Sequence, residues 1–227
     1  MFYQEDLDAP LSADSAIQAP SLTASGDLAP LDQTFLLHSR PGARRTIYLN
    51  FRGATLVNTA WNSSSQPSIS ALPYDLDGVP YSLSTTELER IQYIWQRVAE
   101  DFAPFDVDVT TEPTPAERLR RSGGGDDTFG TTVLITKRTF YNCSCGGVAY
   151  VGVFDDVSDY YKPALVFYDA LGSGNEKYVA EAISHEAGHN MGLGHDGYSG
   201  GGYYQGHGSG ATGWAPIMGV GYYQSLV

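Results

Sequence analysis

EAISHEAGHNMGLGHDG, Glu181 to Gly197, is the stretch on which the reading of this chain turns. Three of the chain's five histidines, His185, His189 and His195, fall inside it, together with Glu186. Histidines four apart on a helix project from one face, one turn above the other. Both imidazoles can then reach one cation at Zn–N distances of about 2.0–2.1 Å. Glu186, beside the first histidine, can reach a water on that cation without ligating it. Gly192 can take a left-handed conformation and turn the chain so that His195 returns as a third ligand. Three protein ligands leave a fourth position open, the arrangement of a catalytic zinc site. The competing reading is a solvated, histidine-rich helix face. It conflicts with Ala182, Ile183, Ala187 and Met191, because uncompensated imidazoles in apolar surroundings are costly.

Outward from this stretch, the pattern predicts a mixed α/β (α+β) domain. Asn175 is a good N-cap for a helix running to about Gly192. Upstream, RTIYLNF (Arg45–Phe51), FDVDVTT (Phe105–Thr111), TTVLITK (Thr131–Lys137), GGVAYVGVF (Gly146–Phe154) and PALVFYDA (Pro163–Ala170) are β-branched and aromatic runs that read as five strands. Between the first two, Ser84 and Glu87 have capping-box spacing. Leu88, Ile91, Ile94, Trp95, Val98 and Phe102 then follow at helical steps, a buried stripe closed by Pro104. Residues 58–82 read as loop, with an Asp-Gly turn at Asp77-Gly78. Asp75 and Asp77 there hint at calcium, an additional ion, although the closing glutamate of a calcium loop is missing. Residues 1–43 lack periodicity and read as a flexible N-terminal or pro-segment, leaving 44–227 as the folded domain.

Charge and composition exclude several function classes. With 13 basic and 26 acidic residues the formal charge is −13. Such a surface repels phosphate backbones, so no nucleic-acid role is expected. No apolar run approaches the roughly 20 residues of a membrane span. MFYQEDLDAP has neither the basic start nor the apolar core of a secretory signal. Cys143 and Cys145, the two cysteines, either form a local disulfide or stay free thiols.

HEAGHNMGLGHD, with Asp196 after the third histidine, resembles the extended zinc motif of the metzincin metallopeptidases, and most closely its adamalysin/reprolysin branch. APIMGVG is similar to the methionine turn that lies beneath the zinc in that superfamily, which makes Met218 the Met-turn residue. The order of elements from Arg45 to Val227 resembles the same architecture. That architecture implies a mixed five-stranded sheet, an active-site helix and an irregular C-terminal subdomain from 195 to 227 that follows an N-terminal subdomain ending at about 194. The resemblance implies His185, His189 and His195 as zinc ligands, Gly192 as the motif turn and Glu186 as general base. It also implies a substrate-binding edge strand at Gly147, Val148, Ala149 and Tyr150, where an extended peptide can pair with the sheet. Peptides or proteins are then the substrates of a secreted, monomeric endopeptidase. The alternatives are a catalytically idle zinc-containing binding or adhesion module, and a zinc hydrolase of a non-peptide amide.

This sequence departs from the family pattern in places. The chain ends nine residues after Met218, where the family continues into a packing helix, and so reads as shortened. Pro216 and Ile217 stand where reprolysins usually carry a cysteine. Astacin-like members have a metal-contacting tyrosine two residues after the methionine. Val220 is at that position, and Tyr222 and Tyr223 are the nearest candidates for such a contact. Asp27, after a glycine in SGDLAP, loosely resembles the astacin-type aspartate that silences the zinc, with Asp6, Asp8, Asp14 and Asp32 equally available in the same segment and no such role needed by a flexible linker. His38 and His207 read as structural and solvent-facing, and the loop from Gly197 to Gly213 as the wall of the primed-side pocket.

Overall fold

Alternation of large apolar residues along short runs builds the sheet, and two capped helices, one between its strands in sequence and one after them, supply the cover. The computed structural model describes residues 2–6, 28–199 and 202–225. Its strands in chain order begin with Phe2–Asp6 (β1), Arg45–Asn50 (β2), Ala54–Val57 (β3) and Ser68–Ala71 (β4). Helix α1 spans Thr85–Asp101, followed by β5 (Val107–Thr110), a one-turn helix α2 (Ala116–Leu119) and β6 (Phe129–Thr136). Then come β7 (Cys145–Tyr150), β8 (Ala164–Phe167) and α3 (Glu176–Asn190).

The main sheet has the order β1-β7-β8-β6-β2-β5. Strands β5, β2, β6 and β8 are parallel, and β7 runs against β8. This mixed sheet with its helices fits the metzincin-like architecture expected. Strand period two divides its side chains between two faces. Ile47, Leu49, Val133, Ile135, Ala149 and Val166 join the core beneath α1 and α3. Leu134, Val148, Leu165 and Phe167 point the other way, against the small β3–β4 hairpin through Leu56, Ile69 and Ala71.

Helix α1 starts as expected. Ser84 Oγ accepts from the Glu87 amide and the Glu87 carboxylate reaches back to the Ser84 amide, a complete capping box. Ile91, Ile94 and Val98 are fully buried. Each contributes about 1.5–3 kcal/mol by leaving water. Trp95 packs beside them, and its Nε1–H donates to Val109 O at 2.8 Å.

The structure differs from the sequence expectation in several places. The sheet has a sixth strand, because Phe2–Asp6 pairs with β7. The predicted loop 58–82 contains β4, where burial of Ile69 and Ala71 organises a serine-rich segment that lacks a strand's usual composition. The ribbon expected over 146–154 stops at Tyr150, because Gly152 turns at φ +72°. Beyond that turn the amides of Gly152 and Phe154 donate to the α3 carbonyls of His189 and Asn190. Residues 28–43, expected to be flexible, are held in place: Thr111 Oγ–H donates to Thr34 O at 2.6 Å, and Gln92 Nε2–H donates to Thr34 Oγ1 at 2.8 Å. Cys143 and Cys145 form a disulfide. Asp27 lies outside the described residues.

Candidate metal centre

The site is built on α3. Asn175 Oδ1 accepts from the amides of Lys177 and Tyr178 and fixes the start of the helix. Its end is a Schellman motif: Leu193 N–H donates to Gly188 O and Gly192 N–H to His189 O, with Gly192 at φ +98°. A side chain with a Cβ is strained in that conformation. The turn therefore falls where the spacing predicted, and it returns His195 to the helix face that carries His185 and His189.

The three imidazoles converge. One ring nitrogen from each lies within 4.8 Å of the others, and His189 Nε2 is 3.0 Å from His195 Nε2. A tetrahedral zinc with Zn–N of about 2.0–2.1 Å needs its nitrogens roughly 3.3 Å apart, so the trio is of the right size. The outer nitrogens are already committed. His185 Nδ1 pairs with Ile217 O and His189 Nδ1 with Leu193 O, both at 2.8 Å. Such carbonyl partners set the tautomer and aim Nε2 inward, as outer-shell partners do around metal-bound histidines. His185 Nε2 is then left buried with no hydrogen-bond partner. A buried polar atom without a partner is costly, and a metal ion would satisfy it.

Electrostatics point the same way. Burial lowers the pKa of His185 to about 4, opposed by the bond to Ile217 O and by the charge of Asp196. Burial and then the adjacent His185 together lower His189 to about 4, opposed by the bond to Leu193 O. His195 falls to about 4 through burial and then its two histidine neighbours. At neutral pH all three are uncharged and offer lone pairs, the form that binds a metal.

Glu186 is fully buried beside this trio. A Cβ on Gly147 of β7 would come within 2.5 Å of its Oε1, so that glycine is what lets the carboxylate pass between helix and sheet. Met218 lies on the other side of α3. A Cβ on Gly188 would meet its Sδ at 2.5 Å, so the second variable residue of His-Glu-x-x-His is a glycine because the methionine turn packs on it. Asp196 N–H donates to Met218 O at 2.8 Å and ties the third histidine to that turn.

Of the expected edge-strand residues, Gly147 is brought to the site. Val148 belongs to the core on the far side of the sheet, Ala149 to the helix-side core, and Tyr150 packs with Trp61 and Tyr161. β7 is also flanked on both sides, by β8 and by β1. Tyr222 packs edge-on against Tyr178, and Tyr223 is exposed. The tyrosine that reaches the histidines is instead Tyr203, whose hydroxyl is 3.2 Å from His195 Nε2 and whose ring lies 4.1 Å from the His195 ring. Sequence reasoning missed it, since nothing in GGYYQG separates one tyrosine from the next. His207 is exposed and bonded to the Tyr204 hydroxyl, while His38 bridges Asp108 and Glu112.

The calcium hint resolves into local structure. Asp75 Oδ1 accepts from the amides of Gly78 and Val79, and Glu87 is occupied by the capping box and by Leu76 N–H. Glu87 does bring a third carboxylate within 4.8 Å of Asp75 and Asp77, but the bonds on these carboxylates are those of a turn and a helix start, and nothing further supports calcium.

Residues 107–196, from β5 to just past the third histidine, match the family model described as metallo-peptidase family M12B, reprolysin-like. That segment is reprolysin-like. No curated protein and no solved structure matches the chain. The matched segment takes in the whole of α3 and with it the three converging histidines, a cluster that could hold a metal ion such as zinc. No helix among the described residues is long and apolar enough to cross a membrane.

Proposed function

We propose that this chain is a zinc-dependent endopeptidase with Glu186 as its general base. The observation that carries the reading is the convergence of three neutral histidine nitrogens with a buried carboxylate one position along the same helix. Zinc held by His185, His189 and His195 would supply Lewis-acid polarisation of the scissile carbonyl and a lowered pKa for water.

The protein's own residues do the rest. Glu186, fixed between α3 and Gly147, takes the proton of the attacking water on a carboxylate oxygen and passes it to the leaving amine nitrogen. Its burial keeps competing solvent off that carboxylate. Tyr203 places a hydroxyl donor at the mouth of the trio. Met218 packs against α3 at Gly188, between the two helical histidines in sequence. β-strand addition of an extended substrate to β7 would require the edge that β1 covers. The Cys143–Cys145 disulfide supports action outside the reducing cytosol.

The test is zinc content and casein cleavage, measured together on the wild type and Glu186→Gln. Both proteins should hold about one zinc per chain, while cleavage by the variant falls by at least about 100-fold, the lower end of the effect of a positioned acid–base group. A variant that cuts casein as fast as the wild type would refute the role of Glu186. Zinc-free protein from both preparations would refute the metal site.

A further inference from the structure

The face of the sheet turned away from α3 carries a cleft of about 300 Å³ that the metal chemistry does not use. Leu134 of β6, Leu56 of β3, Leu119 of α2 and Pro163, just before β8, give it apolar walls, and Asp159 and Lys162 share its lining. The loop that carries those two is tied to the hairpin side of the cleft. Ala60 N–H donates to Tyr160 O at 2.7 Å, and Trp61 Nε1–H donates to Pro163 O at 2.9 Å. Such a volume, apolar with a few convergent polar groups, is that of a small-molecule site, where roughly 300–1,000 Å³ is usual.

The two charged groups are unequally satisfied. Lys162 Nζ donates to Gly130 O at 2.8 Å, to Phe154 O at 3.2 Å and to Leu119 O at 3.5 Å. An ammonium has three N–H donors, so none is left for a ligand. Asp159 Oδ1 is buried and has no hydrogen-bond partner. It lies 3.8 Å from Lys162 Nζ, near enough for the charges to balance and too far for a hydrogen bond. A buried acceptor left without a donor is costly, which is a reason to expect one from outside. The hydroxyls of Tyr48 and Thr132, also in the lining, can donate or accept and so do not sort ligands. A cation at Oδ1 would meet the Lys162 charge, and an anion would meet that of Asp159. An uncharged donor meets neither.

We propose that this cleft binds a small uncharged alcohol, its apolar body against Leu56, Leu119 and Leu134 and its hydroxyl donating to Asp159 Oδ1. The site is separated from the three histidines by the sheet, so it stands apart from the endopeptidase reading and does not depend on metal.

The experiment titrates the full chain with cyclohexylmethanol and, separately, with its isomer methoxycyclohexane, which has the same atoms and no O–H. Amide NMR signals of Leu56, Leu119 and Leu134 should shift saturably with the alcohol. The alcohol should bind at least about tenfold tighter than the ether, the effect of one hydrogen bond to a charged group. Cyclohexylmethylammonium and cyclohexanecarboxylate should bind no tighter than the ether. In Asp159→Ala the alcohol should lose its advantage and bind no tighter than the ether. Equal affinity of the two isomers for the wild type, tighter binding of either ion, or an absence of saturable shifts at the cleft overturns the proposal. The isomer comparison needs no variant, so it decides the matter even where Asp159→Ala fails to fold.

Discussion

Helices α1 and α3 are of similar length and both are capped, yet they are buried in opposite ways. In α1 five of 17 residues are buried, and in α3 13 of 15 are. α1 covers the sheet with one stripe and leaves its other face to solvent, the usual condition of a surface helix. α3 is enclosed by the sheet, by α1 and by the segment that carries Met218 and Tyr222, and it buries His185, Glu186, His189 and Asn190 along with its apolar residues. A stripe helix contributes stability through a few side chains and can vary elsewhere. An enclosed helix has no free face, so each of its positions answers to a neighbour. That explains why α3 contains glycine and alanine where α1 contains charged residues: Gly188 makes room for Met218, and Ala182 and Ala187 let neighbouring elements approach.

The contrast can be broken most severely from the α3 side. Gly147→Ala should lower kcat by at least about 100-fold while zinc content stays near one per chain. The new methyl would meet the Glu186 carboxylate at 2.5 Å, and displacement of a reacting group by about 1 Å costs that much. Cleavage kinetics alongside zinc analysis check it, and normal kcat would mean that Glu186 tolerates displacement. On α1, Ile94→Ala should act on stability alone. A fully buried isoleucine lost from the core costs about 2–5 kcal/mol in urea unfolding, with kcat unaltered below the transition.

Where the two helices touch, Ser184 Oγ–H of α3 donates to Asp101 Oδ2 of α1 at 2.6 Å. Burial raises the Asp101 pKa to about 6 from 3.8, against the lowering effects of the Ser184 bond and of Arg97. Between those values the folded protein keeps a proton that the unfolded chain has released. Stability contributed by Asp101 is therefore present at about pH 4 and lost as pH rises through about 6. Asp101→Asn should flatten the stability–pH curve across that window by at most about 3 kcal/mol. The difference between the wild-type and variant unfolding curves reports Asp101 together with its effect on Glu181, whose pKa the Asp101 charge helps to raise, while the histidines titrate in both. The smallest effect belongs to the α1 cap: Ser84→Ala should cost about 1 kcal/mol and leave cleavage unchanged, as read by urea unfolding and casein assay.

The same contrast governs how much was legible beforehand. α1 announces itself because its stripe has a period and its cap a two-residue signature. α3 shows no comparable stripe, being buried all round, and is found instead through its chemistry: paired histidines, a glutamate and a glycine stop. Five of the seven strands between Arg45 and Phe167, β2, β5, β6, β7 and β8, were legible through β-branched and aromatic runs. The hairpin strands β3 and β4 were not: β3 is four residues long, and serine and proline surround the two buried side chains of β4. The Gly146–Phe154 ribbon was read too long, because α3 carbonyls capture amides that a strand pattern assigns to a ladder.

By itself the sequence determined the metal chemistry. The spacing of His185, Glu186, His189, Gly192 and His195 is local, and helix geometry with one left-handed residue carries it into three dimensions. Only the tertiary structure decided which groups surround that motif. The carbonyls of Ile217 and Leu193 behind two histidines, Met218 against Gly188, Gly147 against Glu186 and Tyr203 beside His195 come from separate parts of the chain. So does the pairing of Phe2–Asp6 with β7, between residues 139 to 148 positions apart in sequence. Contacts of that kind depend on how the sheet orders its strands and how the chain returns past α3, and no periodicity or spacing within one segment encodes them.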